Sequence, residues 1–286
     1  MLRATMWWAV LVGLAASAGC VDPREDFGKT YYIDGAGNWG FGVAEVAQGL
    51  KAAGYRGHVE AYLWTTSFNP AIDQVNRPAA HLRAAILTQK IQDYLRNHPR
   101  NDVNIIALSA GTGIAVWAVE ALESSYRVNN LVLLGSSLSS DYDMRKAVTK
   151  IKGHVYVYYS RYDTILDGPM RVLGTIDGRM DVDAAGLVGL HPRGGDRGKI
   201  VNIGWGPQYQ RYGWTGAHTD CTSEPFVRRY IAAHVMSGAE AGPVPKARAA
   251  SPSIPATSWA DRRWELFSQA DPFRDGERFG PTSEVN

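Results

Sequence analysis

Residues 102–122 read D-V-N-I-I-A-L-S-A-G-T-G-I-A-V-W-A-V-E-A-L, and they set Ser109 where one apolar run stops and another begins. Residues 103–108 are almost continuously apolar, the pattern of a strand buried on both faces. Past Ser109 the run resumes with helical composition. Small residues at 107, 111 and 113 let a strand, a sharp turn and a helix approach closely. The helix N-terminus that follows such a turn carries partial positive charge.

The neighbouring segments repeat this alternation. T-Y-Y-I (residues 30–33) reads as a strand opening into D-G-A-G-N-W-G (34–40), and residues 43–53 form an amphipathic pattern ended by Gly54. Residues 58–64 alternate as a second strand, and 65–78 are expected to be irregular, in position for a flap. Residues 79–96 have helical periodicity that Asn97-His98-Pro99 stops. Downstream, 131–135 and 154–159 are buried strands, 200–203 is a last short one, and 225–235 is the closing helix. Strands alternating with helices imply an α/β fold: a mostly parallel central sheet with helices on both faces. There is no internal repeat.

A chain of 286 residues has ample length for one such domain with appendages. Its net charge of +2, with basic residues scattered, excludes the concentrated basic face of a nucleic-acid binder. Nine tryptophans and fourteen tyrosines are many, and Trp39, Trp64, Trp205 and Trp214 fall in expected loops, either lining a pocket or capping the sheet. Residues 1–20 have the layout of an export signal: Arg3, an apolar stretch over 6–14, then small residues before Cys20. Cleavage after Ala18 leaves a soluble exported protein; lipidation of Cys20 attaches it to a membrane. Residues 21–238 form the expected domain, and 239–286 are a tail of Ala, Pro, Ser and charge without apolar period. Cys20 and Cys221 supply no disulfide framework and no metal-ligand spacing.

The segment around Ser109 resembles the nucleophile elbow of the α/β-hydrolase superfamily, with Ala107-Leu108-Ser109-Ala110-Gly111 standing for G-x-S-x-G. The resemblance covers about residues 31–235 and implies a serine, acid, histidine order. Asp163, after the strand V-Y-V-Y-Y, matches the acid, with Asp141, Asp143 and Asp167 as rivals. His218, in G-W-T-G-A-H-T-D-C before the closing helix, matches the histidine, with His191 next; Asp220 is placed either to orient that loop or to interact with His218. The imidazole would take the serine proton and the carboxylate would hold its tautomer.

Two backbone amides would stabilise the oxyanion, one from Ala110 and the other from the loop after the first strand. Ala36 is the first choice there, with Gly37 and Asn38 beside it, and Asp34 stands where many members have histidine. Asn38, Trp39 and Trp64 are read as substrate-binding. The same loop fits G-x-G-x-x-G, a dinucleotide pattern, but no ribose-binding acid follows the second strand near Trp64.

The resemblance implies a serine hydrolase of esterase or lipase type acting on a small-molecule or lipid-like ester, needing no cofactor and no metal. Residues 65–78 and the polar stretch 166–214 would set substrate choice. Acyl transfer or amide hydrolysis on the same triad, and a non-catalytic, surface-anchored binding protein, are the alternatives.

Overall fold

Six strands carry the chain's core: β1 (Lys29–Ile33), β2 (His58–Tyr62), β3 (Val103–Leu108), β4 (Leu131–Leu134), β5 (Val155–Tyr159) and β6 (Ile200–Gly204). The computed structural model describes residues 22–65, 67–192 and 197–236. The chain divides into the units Met1–Lys246 and Ala247–Asn286, and the described residues all lie in the first. The expected export signal, Cys20 and the tail from residue 239 lie outside the described residues.

The strands form one sheet in the order β2-β1-β3-β4-β5-β6, parallel at every pairing. Parallel strands need crossover connections, and helices α1 (Val43–Ala52), α3 (Arg77–Asn97) and α4 (Gly111–Glu120) supply the first three. The strand period of two sends successive side chains to opposite faces. Tyr31, Ile33, Ile105, Ala107, Leu131, Leu133, Val155 and Val157 join the core with α3 and α4. Tyr32, Ile106, Leu108, Val132, Leu134 and Tyr158 join the core with α1 and the closing helix. The expected α/β architecture, a parallel sheet covered on both faces, is what the chain adopts.

Strand order reverses direction at β1. From β1 the chain moves outward to β2, then returns to place β3 on the other side of β1. The loops leaving β1 and β3 therefore lead to helices on opposite faces at the carboxyl edge of the sheet, the place where open α/β sheets bind ligands. Asp34–Gly40 and Ser109 are the residues at that edge.

Residues 65–78 depart from expectation. Helix α2 (Pro70–Val75) lies there, and α3 starts at Arg77, two residues earlier than its apolar pattern indicates. Proline is accommodated in the first turn of a helix, where its missing N–H would have no intrahelical partner. Pro70 and Pro78 open these helices, with Asn69 capping the Ala71 and Ile72 amides and Asn76 capping Ala79. The closing helix runs as Glu224–Phe226, a π-helical Val227–Ile231 and Ala232–Val235. It presses on α1 so closely that a Cβ on Gly49 would stand 2.7 Å from that of Val227. Trp214 is buried against Tyr209, Phe226 and Tyr158, so this tryptophan caps the sheet.

His234, on the closing helix, is buried against the Tyr156 ring at 3.6 Å with Nε2 2.8 Å from the Tyr158 hydroxyl. Burial holds its imidazole down at about 4, with His154 adding to the effect. In the unfolded chain the ring titrates near 6.5, so between the two values only the unfolded state binds the proton. This contribution to stability is complete above about pH 6.5 and is lost as pH falls toward 4, on the order of 3 kcal/mol in all. Urea unfolding at pH 7 and pH 4.5 should show His234→Gln less pH-sensitive than the parent by about 2 kcal/mol. Equal sensitivity would assign the acid loss to other groups.

Candidate active site

The strand β3 ends and α4 begins within two residues, and Ser109 takes φ +52° to make the turn. A non-glycine residue there costs on the order of 1–2 kcal/mol and persists only where its surroundings hold it. They do so here. The Ser109 N–H donates to Leu134 O at 2.9 Å, and Ser109 O accepts from Thr112 N at 3.0 Å and Thr112 Oγ1 at 2.5 Å. Thr112 Oγ1 is in turn 2.9 Å from Ser136 Oγ. Gly111 sits so near the end of β1 that a Cβ would stand 2.4 Å from Asp34 O and 2.8 Å from Ile33 O. Gly35 in turn lies over the serine, where a Cβ would be 3.2 Å from Ser109 Cβ.

Asp163 and His218, 55 residues apart in sequence, meet beyond the ends of β4 and β5. His218 Nδ1 is 2.6 Å from Asp163 Oδ2. Asp163 is 2% exposed, and its Oδ1 accepts from Ile165 N at 3.1 Å and Leu166 N at 3.0 Å. The carboxylate is thus a helix cap whose second oxygen is left for the imidazole. With the Nδ1 proton on that bond, Nε2 is the basic nitrogen. Gly135, which follows β4 beside Ser109, has φ +48°. A Cβ on it would stand 3.2 Å from His218 Nδ1 and 3.4 Å from Asp163 Oδ2, so the pair packs on its bare backbone.

The rival acids are engaged elsewhere: Asp143 with Arg145, Asp141 with Arg179, and Asp167 with Arg171. His191 is exposed, with Nε2 3.0 Å from Val188 O. Asp220 accepts from Thr215 N and Thr215 Oγ1 and so ties the loop that bears His218. Cys221 lies buried beneath that histidine, its Sγ 3.7 Å from His218 O, and burial pushes its thiol far above the usual range. It is therefore held as the un-nucleophilic thiol.

Residues 35–38 form a turn closed by Asn38 N to Gly35 O at 3.2 Å, with Gly37 at φ +82° in the third position, as a type II turn requires. Asp34 Oδ1 accepts from Gly35 N at 2.8 Å and Oδ2 from Gly40 N at 2.7 Å. Burial raises the Asp34 carboxyl, opposed by the Gly35, Gly40 and Phe41 amides and the Tyr32 hydroxyl. Gly37 N donates to Asp73 Oδ2 at 2.7 Å. Gly37 is therefore corrected as an oxyanion donor, because its N–H is already engaged by a carboxylate. Ala36 N and Ala110 N have no acceptor among the described residues.

The expected substrate contacts separate. Trp39 is 59% exposed beside the turn, its indole N–H donating to Phe68 O at 3.2 Å. Asn38 takes φ +46°, and its Oδ1 is buried without a donor. Trp64 is 3% exposed, and its Nε1 donates to Asp34 O at 2.9 Å. Its indole also borders a cavity of about 240 Å³ together with Thr65, Ile72 and Asp73. Asp73 escaped the sequence reading because residues 65–78 show no sustained period; the Asn69-Pro70 start of α2 was the available signal.

Among the described residues, the one cluster with metal-ligand proximity is Glu25, His58 and Glu60. The buried Lys29 ammonium already serves as its cation, 2.6 Å from Glu25 and 2.7 Å from Glu60.

No protein-family model matches the chain, and no curated protein sequence does. Among solved structures it is similar to esterase PE8, at 11% identity over 67% of this chain and 85% of that one, with a TM-score of 0.38. It is similar to a cutinase-like protein from Cryptococcus sp. at 14% identity, covering 71% and 92%, with a TM-score of 0.36. A dienelactone hydrolase from Anabaena variabilis matches at 18% identity, covering 62% and 74%, with a TM-score of 0.36.

Gly135→Ala should lower stability by about 1–2 kcal/mol, because it puts a Cβ on a positive-φ residue. It should also displace the downfield proton resonance expected for the His218–Asp163 hydrogen bond. Urea unfolding and proton NMR check both; an unmoved resonance would show that the imidazole does not rest on Gly135.

Proposed function

We propose that the chain is a serine hydrolase that cleaves carboxylic esters through an acyl-enzyme. The observation that carries this reading is the 2.6 Å His218–Asp163 contact, built beyond the strand next to a serine held at positive φ. A structural serine has no need of a strained turn, and a surface histidine has no need of a buried carboxylate. Together they are the parts that general-base activation of a hydroxyl requires.

In this reading Ser109 Oγ attacks the ester carbonyl carbon while its proton passes to His218 Nε2. The carbonyl electron pair moves to oxygen, and the resulting oxyanion accepts hydrogen bonds from Ala36 N–H and Ala110 N–H. Asp163 stabilises the imidazolium without itself taking the proton. Collapse of the intermediate breaks the bond to the leaving alcohol, which receives the proton from Nε2. Water then repeats the sequence on the acyl-enzyme and regenerates the serine.

The substrate class is drawn from the rim. Trp39, Phe41, Phe68, Ile72 and Val75 are exposed large apolar side chains in the loop after β1 and around α2. Scattered exposed apolar residues are ordinary, but a group that borders the turn bearing Ala36 favours an ester with an apolar acyl or alcohol part. Export through residues 1–20, with Cys20 either removed or lipidated, belongs to the same proposal and would set this chemistry outside the cytoplasm.

Full-length protein should react with a fluorophosphonate probe and hydrolyse p-nitrophenyl esters. Ser109→Ala should abolish labelling, and Asp163→Asn should lower kcat by roughly 10⁴-fold. Labelling that survives Ser109→Ala would remove the nucleophile assignment, and no labelling of either protein would favour a binding protein with this fold. Adding an alcohol or amine acceptor tests acyl transfer: product partitioning to the acceptor at low millimolar concentration would replace hydrolysis as the reaction.

A further inference from the structure

Asp73 is a buried carboxylate with no ion-pair partner among the described residues. Burying such a charge is costly unless hydrogen bonds replace its water. Three neutral donors do so. Thr65 Oγ1 and Ser67 Oγ each donate to Oδ1 at 2.7 Å, and Gly37 N donates to Oδ2 at 2.7 Å. The first two close the local loop that leads into α2. The third crosses 36 residues to reach the turn that overlies Ser109.

The engaged N–H belongs to the central peptide of the Gly35–Asn38 turn. In a type II turn this peptide is rotated by about 180° relative to a type I turn, and the choice moves ψ of the second residue and φ of the third. The second residue is Ala36. A carboxylate fixed on Gly37 N holds the central peptide in one of the two orientations. Asp34 holds the peptide before Gly35, and the Asn38 N to Gly35 O bond holds the peptide between Gly35 and Ala36. The neighbouring peptides of the turn are each tied, and Ala36 N is left without an acceptor. Pro70 reinforces the arrangement sterically, since a Cβ on Gly37 would stand 2.9 Å from Pro70 Cγ.

We propose that Asp73 is a positioning residue for ester hydrolysis, anchoring the turn through its Ala36–Gly37 peptide so that the N–H of Ala36, which belongs to the preceding Gly35–Ala36 peptide, stays directed to the oxyanion. This rests on the serine hydrolase reading. An amide that must be reoriented as charge develops loses the benefit of preorganisation, and the loss falls on the transition state. The signature is a lower kcat at nearly unchanged KM.

Labelling of the full chain by the fluorophosphonate, and its loss in Ser109→Ala, is established first; if labelling is absent, the hydrolase reading and this inference fall together. With labelling in hand, Asp73→Ala should lower kcat on p-nitrophenyl esters by about 10²-fold, the size of a lost oxyanion donor, with KM within threefold. Asp73→Asn keeps an oxygen acceptor for Gly37 N and should stay within tenfold of the parent. Ser67→Ala removes a different partner of the same carboxylate and should stay within twofold.

Ala36→Pro fills a turn position that favours proline and deletes the N–H itself. In that background Asp73→Ala should cost at least tenfold less than in the parent. If Asp73→Ala does not fold, the same comparison uses Asp73→Ser, whose hydroxyl is too short to reach Gly37. The inference is overturned alone if labelling is Ser109-dependent but kcat stays within threefold, if the loss appears in KM, if Ser67→Ala matches Asp73→Ala, or if the loss is equal in both backgrounds.

Discussion

The contact on which this site depends is the approach of the first turn of α4 to the end of β1. At Gly111 the two backbones are so close that one added carbon would sit 2.4 Å from Asp34 O. That contact requires a sharp exit from β3, which puts Ser109 at positive φ and frees the Ala110 amide at the start of the helix. It also pins the Asp34 carbonyl, from which the Gly35–Asn38 turn departs. Trp64 closes the same carbonyl from the other side with its indole N–H. Ser109 and the loop after β1 are therefore set by one packing event between neighbouring strands.

Three buried aspartates then organise backbone around that contact. Asp163 caps two amides and leaves one oxygen for His218. Asp34 takes the Gly35 and Gly40 amides, and Asp73 takes Gly37. In each case the donors include peptide N–H groups, which are fixed by the chain and need no side-chain ordering when charge develops nearby. Holding loops in this way costs desolvation of the carboxylates and yields a turn with few alternative conformations. Cationic partners appear elsewhere, as where Lys29 joins Glu25 and Glu60 at the opposite, amino edge of the sheet.

The legibility of the chain follows from the range of the interactions. Strands β3 to β6 and helix α1 announce themselves through local apolar period and glycine punctuation, and their observed bounds lie within one or two residues of the expected ones. Residues 65–78 were opaque because their helix starts are written in Asn-Pro and Asn-x-Pro, where proline reads locally as a breaker. Trp64 and Trp214 look alike as loop tryptophans. Burial separates them from the exposed Trp39, and burial is a property of the assembled sheet ends.

The sequence by itself determined that a serine stands at a strand–helix junction in a parallel α/β sheet, because hydrophobic period and the small residues at 107, 111 and 113 act over a few residues. It also ranked Asp163 and His218, from their loops and their order along the chain. Only the tertiary structure decided that these two meet at 2.6 Å, and that Gly37 N is consumed by Asp73 while Ala36 N is left open. Hydrogen bonds between residues 36 and 55 positions apart leave no periodic trace in a sequence. They exist only once parallel strands have brought their carboxyl ends to one edge.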